Sequence, residues 1–181
     1  MEDISLHILD IAENSVRAGA TEIAISVIKE TVEDLLTVII KDNGSGMNDV
    51  QMKMATNPFF TGKSGRKIGL GLPLLEEAAQ IANGSLSIES KTNVGTTITA
   101  VFNWSHIDRK PIGKISETIV ALITSYPDVD FTLNIKCDEK DFNFTTKEVK
   151  TKLQDIAINS TGVLNFIEKY IEENTESFLK N

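Results

Sequence analysis

A carboxylate and a carboxamide near the N-terminus have the spacing of a small site for a metal ion or a reactive water. Asp10 and Asn14 are four residues apart in a segment with helical periodicity, so both side chains point to the same side of a helix. One amide oxygen together with nucleotide phosphates can hold Mg²⁺, and a neighbouring carboxylate can orient or deprotonate an attacking water. The alternative is that both residues are polar positions on an exposed face.

A second carboxylate, Asp42, ends a run of residues typical of a buried strand and begins the sequence DNGSG. A carboxylate in that position usually needs a partner. The amino group of adenine can donate a hydrogen bond to it, whereas the edge of guanine differs, so one Asp can select the base. The alternative is an Asx-turn that ends the strand without any ligand.

A glycine-rich sequence, GLGL at residues 69–72, precedes the pattern of another helix. The free backbone amides and the positive dipole end of such a helix favour phosphate. Lys63, Arg66 and Lys67 add three positive charges within five residues, which could form a lid that pairs with phosphates. Neither feature is specific alone, because many helices begin after glycine and a basic run is more often solvated surface.

The surrounding pattern predicts the elements that position these residues. Apolar residues recur at helical spacing from Asp3 to Ala18 and from Leu70 to Ala82, and more weakly over 48–55. Alternating β-branched residues predict two hairpins, with strands at 21–30, 35–42, 85–90 and 95–103. This order predicts a two-layer α/β (α+β) sandwich, in which helices cover one face of a mixed, mainly antiparallel sheet.

The periodic pattern breaks at residues 105–112, which we predict to be a linker between two domains. The first domain is residues 1–104, and residues 113–181 are predicted to form a small α+β module of two strands and three helices. Residues 105–181 carry 13 acidic and 10 basic side chains, so partner contact or homodimer formation is favoured over DNA binding by this part.

The composition is that of a globular protein long enough to bury a core, with 181 residues of which 41% are hydrophobic. The formal charge of −8 disfavours general binding to nucleic acid or to an anionic membrane. No apolar stretch approaches the roughly 20 residues of a membrane span, and no signal peptide is evident. The single cysteine excludes an internal disulfide. These features predict a cytoplasmic protein.

In combination, the motifs resemble the ATP-binding domain of the GHKL superfamily, which includes DNA gyrase, heat-shock chaperones, histidine kinases and mismatch-repair ATPases. The resemblance covers residues 4–103. It is carried in order by Asp10-x3-Asn14, DNGSG at 42–46, NPFF at 57–60, GLGL at 69–72 and GTT at 95–97. It implies the Bergerat fold, with ATP and Mg²⁺ as ligands.

The resemblance also implies a role for each matching residue. Asn14 would be the magnesium ligand, and Asp10 would take the place of a catalytic Glu, although its side chain is shorter. Asp42 would bind adenine, with Thr96 nearby. The other residues implied to contact the nucleotide are Gly44, Gly46, Asn57, Phe60, Lys63, Gly69, Leu70 and Gly71.

Two branches of the superfamily are resembled. The short lid between PFFTGK and GLGLPLL resembles histidine kinases, whereas ENSVRAGAT resembles mismatch-repair ATPases. Only nine residues precede Asp10, too few for a phosphoacceptor hairpin. His7 lacks the residues that follow the histidine of an acceptor motif and is interpreted as a helix-face histidine near Asp10, while His106 lies in the linker. The first hypothesis is therefore transfer of the ATP γ-phosphoryl group to a separate protein partner. The alternatives are an ATPase or nucleotide-gated switch, and a nucleotide-binding adaptor without turnover.

Overall fold

The computed structural model describes residues 3–55 and 71–178, in which the helices and strands follow the predicted order. Asp3 caps the first helix, accepting a hydrogen bond from the backbone N–H of Leu6. The elements are α1 (Ile4–Arg17), β1 (Glu22–Glu30), β2 (Leu35–Asp42), α2 (Asp49–Ala55), α3 (Gly71–Ile81), β3 (Ser85–Lys91), β4 (Gly95–Asn103), α4 (Ile115–Ser125), β5 (Asp130–Cys137), β6 (Lys140–Thr145), α5 (Thr146–Leu153) and α6 (Thr161–Thr175).

The strands form one sheet in the order β3-β4-β2-β1-β5-β6. Strand β5 runs parallel to β1, and the other four pairings are antiparallel. The prediction of a mixed, mainly antiparallel sheet is therefore confirmed.

One face of the sheet carries the hydrophobic core in rows that run across the strands. Ile25, Ile40 and Ile98 are paired neighbours in one such row, and each is at most 5% exposed. Helix α1 contacts β1 and β2, and α3 contacts β3 and β4, so these helices cover the central strands. Alternate residues on each strand point to the other, more exposed face.

The strands of the C-terminal part continue this sheet. Ile23 of β1 pairs with Phe131 of β5, and both belong to the same core cluster. Residues 105–112 are tied to α1, because the backbone N–H groups of Ile4 and Ser5 donate to the carbonyl oxygens of Pro111 and Ile112 at 2.9 and 2.8 Å. The division into 1–104 and 113–181 stays a prediction about domains, while the sheet itself is continuous across it.

Within residues 3–55 and 71–178, no helix is both long enough and apolar enough to cross a membrane.

His7 of α1 is fully buried, although the sequence predicts only a helix-face histidine near Asp10. Among the residues the structure describes, neither ring nitrogen has a hydrogen-bond partner. Burial lowers the pKa of His7 from 6.5 to about 4, and the positive charge of Lys110 acts in the same direction. The imidazole is therefore neutral in the folded protein at pH 7.

We expect His7→Leu to reduce the loss of unfolding free energy that occurs when the pH is lowered. In the wild type the unfolded chain binds the proton more readily, so stability present above about pH 6.5 is lost as the pH falls toward 4. The contribution is roughly 3 kcal/mol, and Leu also removes the cost of a buried unpaired polar group. Urea unfolding at pH 7, 5.5 and 4.5 measures the difference.

The matched control is His106→Gln, because His106 is only half-buried and its Nδ1 accepts a hydrogen bond from the Asp108 N–H. This variant should keep the wild-type loss of stability in acid. If the unfolding free energies of wild type and His7→Leu fell equally with decreasing pH, the assignment of that loss to His7 would be contradicted.

Candidate nucleotide site

A row of polar side chains lies at one end of the otherwise apolar core face. Asp42 of β2 pairs with Thr96 of β4, which pairs with Ser90 of β3. Asp42 is 8% exposed and Thr96 is 9% exposed, so both are buried polar groups. An opening of about 240 Å³ beside them is lined from both faces of the sheet, with Lys41 and Glu89 on the exposed face. The core face of the sheet therefore ends in a cluster of polar side chains around Asp42, which we call the Asp42 pocket.

The Asp42 carboxylate is held by three hydrogen bonds from described residues. Its Oδ2 accepts from the hydroxyl of Ser15 at 2.6 Å, and its Oδ1 accepts from the N–H groups of Gly44 at 2.9 Å and Thr96 at 3.2 Å. A carboxylate offers about four lone-pair positions, so one remains for a further donor. A purine amino group is a donor of the required kind.

The Gly44 contact is the Asx-turn that the sequence allowed as an alternative. The bonds from Ser15 and Thr96 go beyond that turn, because they come from positions 27 and 54 residues away. The Asp42 carboxylate is therefore both the end of a turn and the centre of a long-range network.

Ser15 was not singled out as a site residue by the sequence analysis. It lies on the buried face of α1, where its neighbours along the stripe are Ile8, Ile11 and Ala12. A hydroxyl in a largely apolar helical stripe is the signal that could have identified it, because a buried hydroxyl needs a hydrogen-bond partner.

The turn that follows Asp42 packs against the turn between β3 and β4. Gly46 has a φ of +63°, and a Cβ there would overlap the carbonyl oxygen of Lys91. Gly95 has a φ of +131°, and a Cβ there would overlap the carbonyl oxygen of Asp42. Both positions require glycine, so the two turns are packed backbone against backbone beside the pocket.

The structure brings Asp10 and Asn14 together on one side of α1. Nδ2 of Asn14 donates to Oδ2 of Asp10 at 3.4 Å, and Oδ1 of Asn14 accepts from Arg17 at 2.7 Å. Arg17 was missed by the sequence analysis, although its spacing of three residues from Asn14 is that of a contacting pair on a helix.

The beginning of α3 lies against this pair. A Cβ at Gly71 would overlap the carboxylate of Asp10, so the first helical residue packs directly on that side chain. The N-terminus of α3 and the Asp10 side chain are therefore in direct contact. The predicted site residues Asn57, Phe60, Lys63, Gly69 and Leu70 lie outside the described residues.

Helix α1 joins the two halves of the candidate site. Ser15 contacts Asp42 in the polar pocket, while the preceding residue, Asn14, contacts Asp10 beside α3. In the described part of the chain, no group of three or more His, Cys, Asp or Glu side chains could hold a metal ion. Mg²⁺ still fits the free lone pair of the Asn14 amide oxygen, provided that phosphates supply its other ligands.

Comparisons with known proteins give similarity over part of the chain. Sensor histidine kinase YvrG of Bacillus subtilis is 31% identical over 93 residues, which is 49% of this chain and 16% of the relative. Tetrathionate sensor histidine kinase TtrS of Salmonella typhimurium is 29% identical over 93 residues, or 49% of this chain and 15% of the relative. The chain thus spans about a sixth of the length of these relatives.

A solved structure, the N-terminal domain of a DNA repair protein, has a similar fold with a TM-score of 0.52. The two are 14% identical, and the similarity covers 79% of this chain and 52% of that one. Residues 2–106 match the family model described as histidine kinase-, DNA gyrase B-, and HSP90-like ATPase. Membership of this family supports ATP binding and confirms the resemblance and fold class predicted from the motifs. Since the match covers more than half of its residues, the chain belongs to the histidine kinase-, DNA gyrase B- and HSP90-like ATPase family.

Proposed function

We propose that this chain binds Mg²⁺-ATP and transfers the γ-phosphoryl group to a separate protein partner. The proposal depends on two adjacent residues of α1 that contact the two parts of the candidate site. Ser15 donates a hydrogen bond to Asp42, and Asn14 donates one to Asp10. A nucleotide has the same two ends, a base and a triphosphate. A cytoplasmic location and partner contacts by residues 113–181, with another protein or a second copy, belong to the same proposal.

The base end is formed by the Asp42 pocket. The carboxylate accepts a hydrogen bond from the adenine amino group, while Ser15, Gly44 and Thr96 keep it in one orientation. The close packing of the turns around Gly46 and Gly95 fixes the backbone on which the base would lie. Little reorganisation is then needed when the nucleotide binds.

The phosphate end is formed by Asn14, Asp10 and the N-terminus of α3. Asn14 would hold Mg²⁺ through its amide oxygen, and the ion would neutralise charge on the triphosphate. The backbone amides and dipole at the N-terminus of α3 favour the same phosphates. Asp10 lies beside Asn14 and can orient the attacking group or receive its proton.

Similarity to sensor histidine kinases supports transfer as the reaction. One observation favours a nucleotide-gated switch as the second candidate. The Asn43 side chain accepts from the N–H groups of Thr21 and Glu22 at 2.9 and 3.0 Å, and the Thr21 carbonyl accepts from the N–H of Asp130 at 2.9 Å. The turn after Asp42 is thereby bonded to the start of β5, so a change at the base could reach the C-terminal part.

Radiolabelled [γ-³²P]ATP added to a lysate tests the transfer. We expect a labelled protein whose appearance depends on this chain, and we expect Asp10→Asn to lower labelling by at least roughly 100-fold with ATP affinity retained, the usual effect of losing a general base. Glu30→Gln is the matched control, because this exposed carboxylate ends β1 away from the site.

The outcomes separate the candidates. Absence of any labelled protein that depends on the chain would contradict transfer. Release of free phosphate that Asp10→Asn abolishes would instead support the ATPase or switch.

A further inference from the structure

Ser90 of β3 forms a second hydrogen-bond network beside Asp42, and the sequence analysis did not single it out. The Ser90 hydroxyl oxygen accepts from the backbone N–H of Met47 at 2.8 Å. It also lies 2.8 Å from the hydroxyl oxygen of Thr96 and 3.1 Å from the carbonyl oxygen of Gly95. The Ser90 side chain therefore contacts the turn after Asp42, the turn between β3 and β4, and the buried side chain of Thr96.

Only one arrangement of the hydroxyl protons makes all three Ser90 contacts hydrogen bonds at the same time. The Met47 N–H can only donate and the Gly95 carbonyl can only accept, while Ser90 has one proton and two lone pairs. Ser90 therefore donates to Gly95, and its second lone pair receives the proton of Thr96. The Thr96 oxygen is then left with lone pairs only and can act solely as an acceptor toward any further group.

The polarity of the pocket follows from this arrangement. Thr96 pairs directly with Asp42 in the sheet, and Asp42 also has only acceptor capacity left when ionised. Adenine carries an amino donor at C6, whereas guanine and hypoxanthine carry an oxygen acceptor there. Two acceptors in direct contact with the 6-position match the N–H groups of a 6-amino purine and disfavour a 6-oxo purine.

We propose that Ser90 is a positioning residue for base selection: by taking the Thr96 proton it keeps that hydroxyl an acceptor and strengthens the preference for 6-amino over 6-oxo purines. This inference rests on the proposed ATP site. Ser90 also holds the Met47 N–H, so a purely structural role is the competing explanation. A structural role would change the affinities for both kinds of purine alike, and only the proposed role changes their ratio.

Calorimetry with ATP and ITP tests the ratio, because ITP differs from ATP only by the 6-oxo group and the N1 proton that goes with it. Wild type should bind ATP more tightly than ITP. Ser90→Ala frees the Thr96 proton to face the 6-oxo group, so the ATP preference should fall roughly fivefold, the size of one hydrogen bond. Ser90→Thr should restore most of the preference, and Ser87→Ala, exposed on the same strand, should leave it unchanged.

Thr96→Val removes the acceptor hydroxyl of Thr96 and leaves the hydrogen bond from the Met47 N–H to Ser90 in place. It should also lower the ATP preference, and adding Ser90→Ala to it should change the ratio no further. An unchanged ratio in Thr96→Val, or a further change in the double variant, would overturn the role of Ser90. A wild type that binds neither nucleotide would overturn the ATP site itself, which is a different failure from ATP binding with an unaltered ratio.

Discussion

Asp42→Asn is expected to weaken ATP binding by roughly 100-fold or more. The amide keeps one oxygen, which can still accept from Gly44 and Thr96, but its NH₂ group replaces the oxygen that accepts from Ser15 and has a lone pair left for adenine. The substitution also removes the charge that strengthens a bond to adenine. Losing a charge-assisted bond and leaving a buried donor unpaired each cost about 1–3 kcal/mol. Titration calorimetry with ATP and Mg²⁺ measures the loss.

Asp34→Asn is a closely matched control. Asp34 also accepts three hydrogen bonds, from the N–H and hydroxyl of Ser105 and from the side chain of Asn103. It lies at the opposite end of β2, before the strand begins. This variant should lose stability but keep ATP affinity. Wild-type affinity in Asp42→Asn would contradict the assignment of the base pocket.

Asn14→Ala is expected to remove the dependence of ATP affinity on Mg²⁺. The variant has no amide oxygen for the ion, so ATP affinity in saturating Mg²⁺ should fall to the metal-free value, a loss of roughly 10- to 100-fold by analogy with other metal-site substitutions. Calorimetry with and without Mg²⁺ gives the two affinities for each protein.

Asn165→Ala serves as its control, since Asn165 is an exposed asparagine of α6. It should respond to Mg²⁺ as the wild type does. If Asn14→Ala kept the wild-type response, the ion would have to be held elsewhere.

Local signals in the sequence were enough for the order and type of the elements. The alternation that ends at Asp42 predicts a buried strand ending in a carboxylate, and the structure has that strand and that burial. The spacing of Asp10 and Asn14 predicts two side chains on one side of a helix, which the structure also brings together. In each case the decisive periodicity lies within a few residues.

Contacts that depend on pairing between distant strands could not be predicted from local periodicity. Ser90 meets Thr96 only because of the register of β3 against β4. The parallel pairing of β5 with β1 joins Glu22 to Asp130, positions 108 residues apart. Hydrophobic periodicity fixes which face a residue occupies, but it does not fix which strand becomes its neighbour.

The most direct test of the central claim is a crystal structure of the wild type with Mg²⁺ and a non-hydrolysable ATP analogue. We expect the adenine amino group to lie within hydrogen-bond distance of the Asp42 carboxylate and Mg²⁺ to be coordinated by the Asn14 amide oxygen, with the triphosphate beside Asp10 and α3. A nucleotide bound elsewhere, or a base that does not reach Asp42, would contradict it.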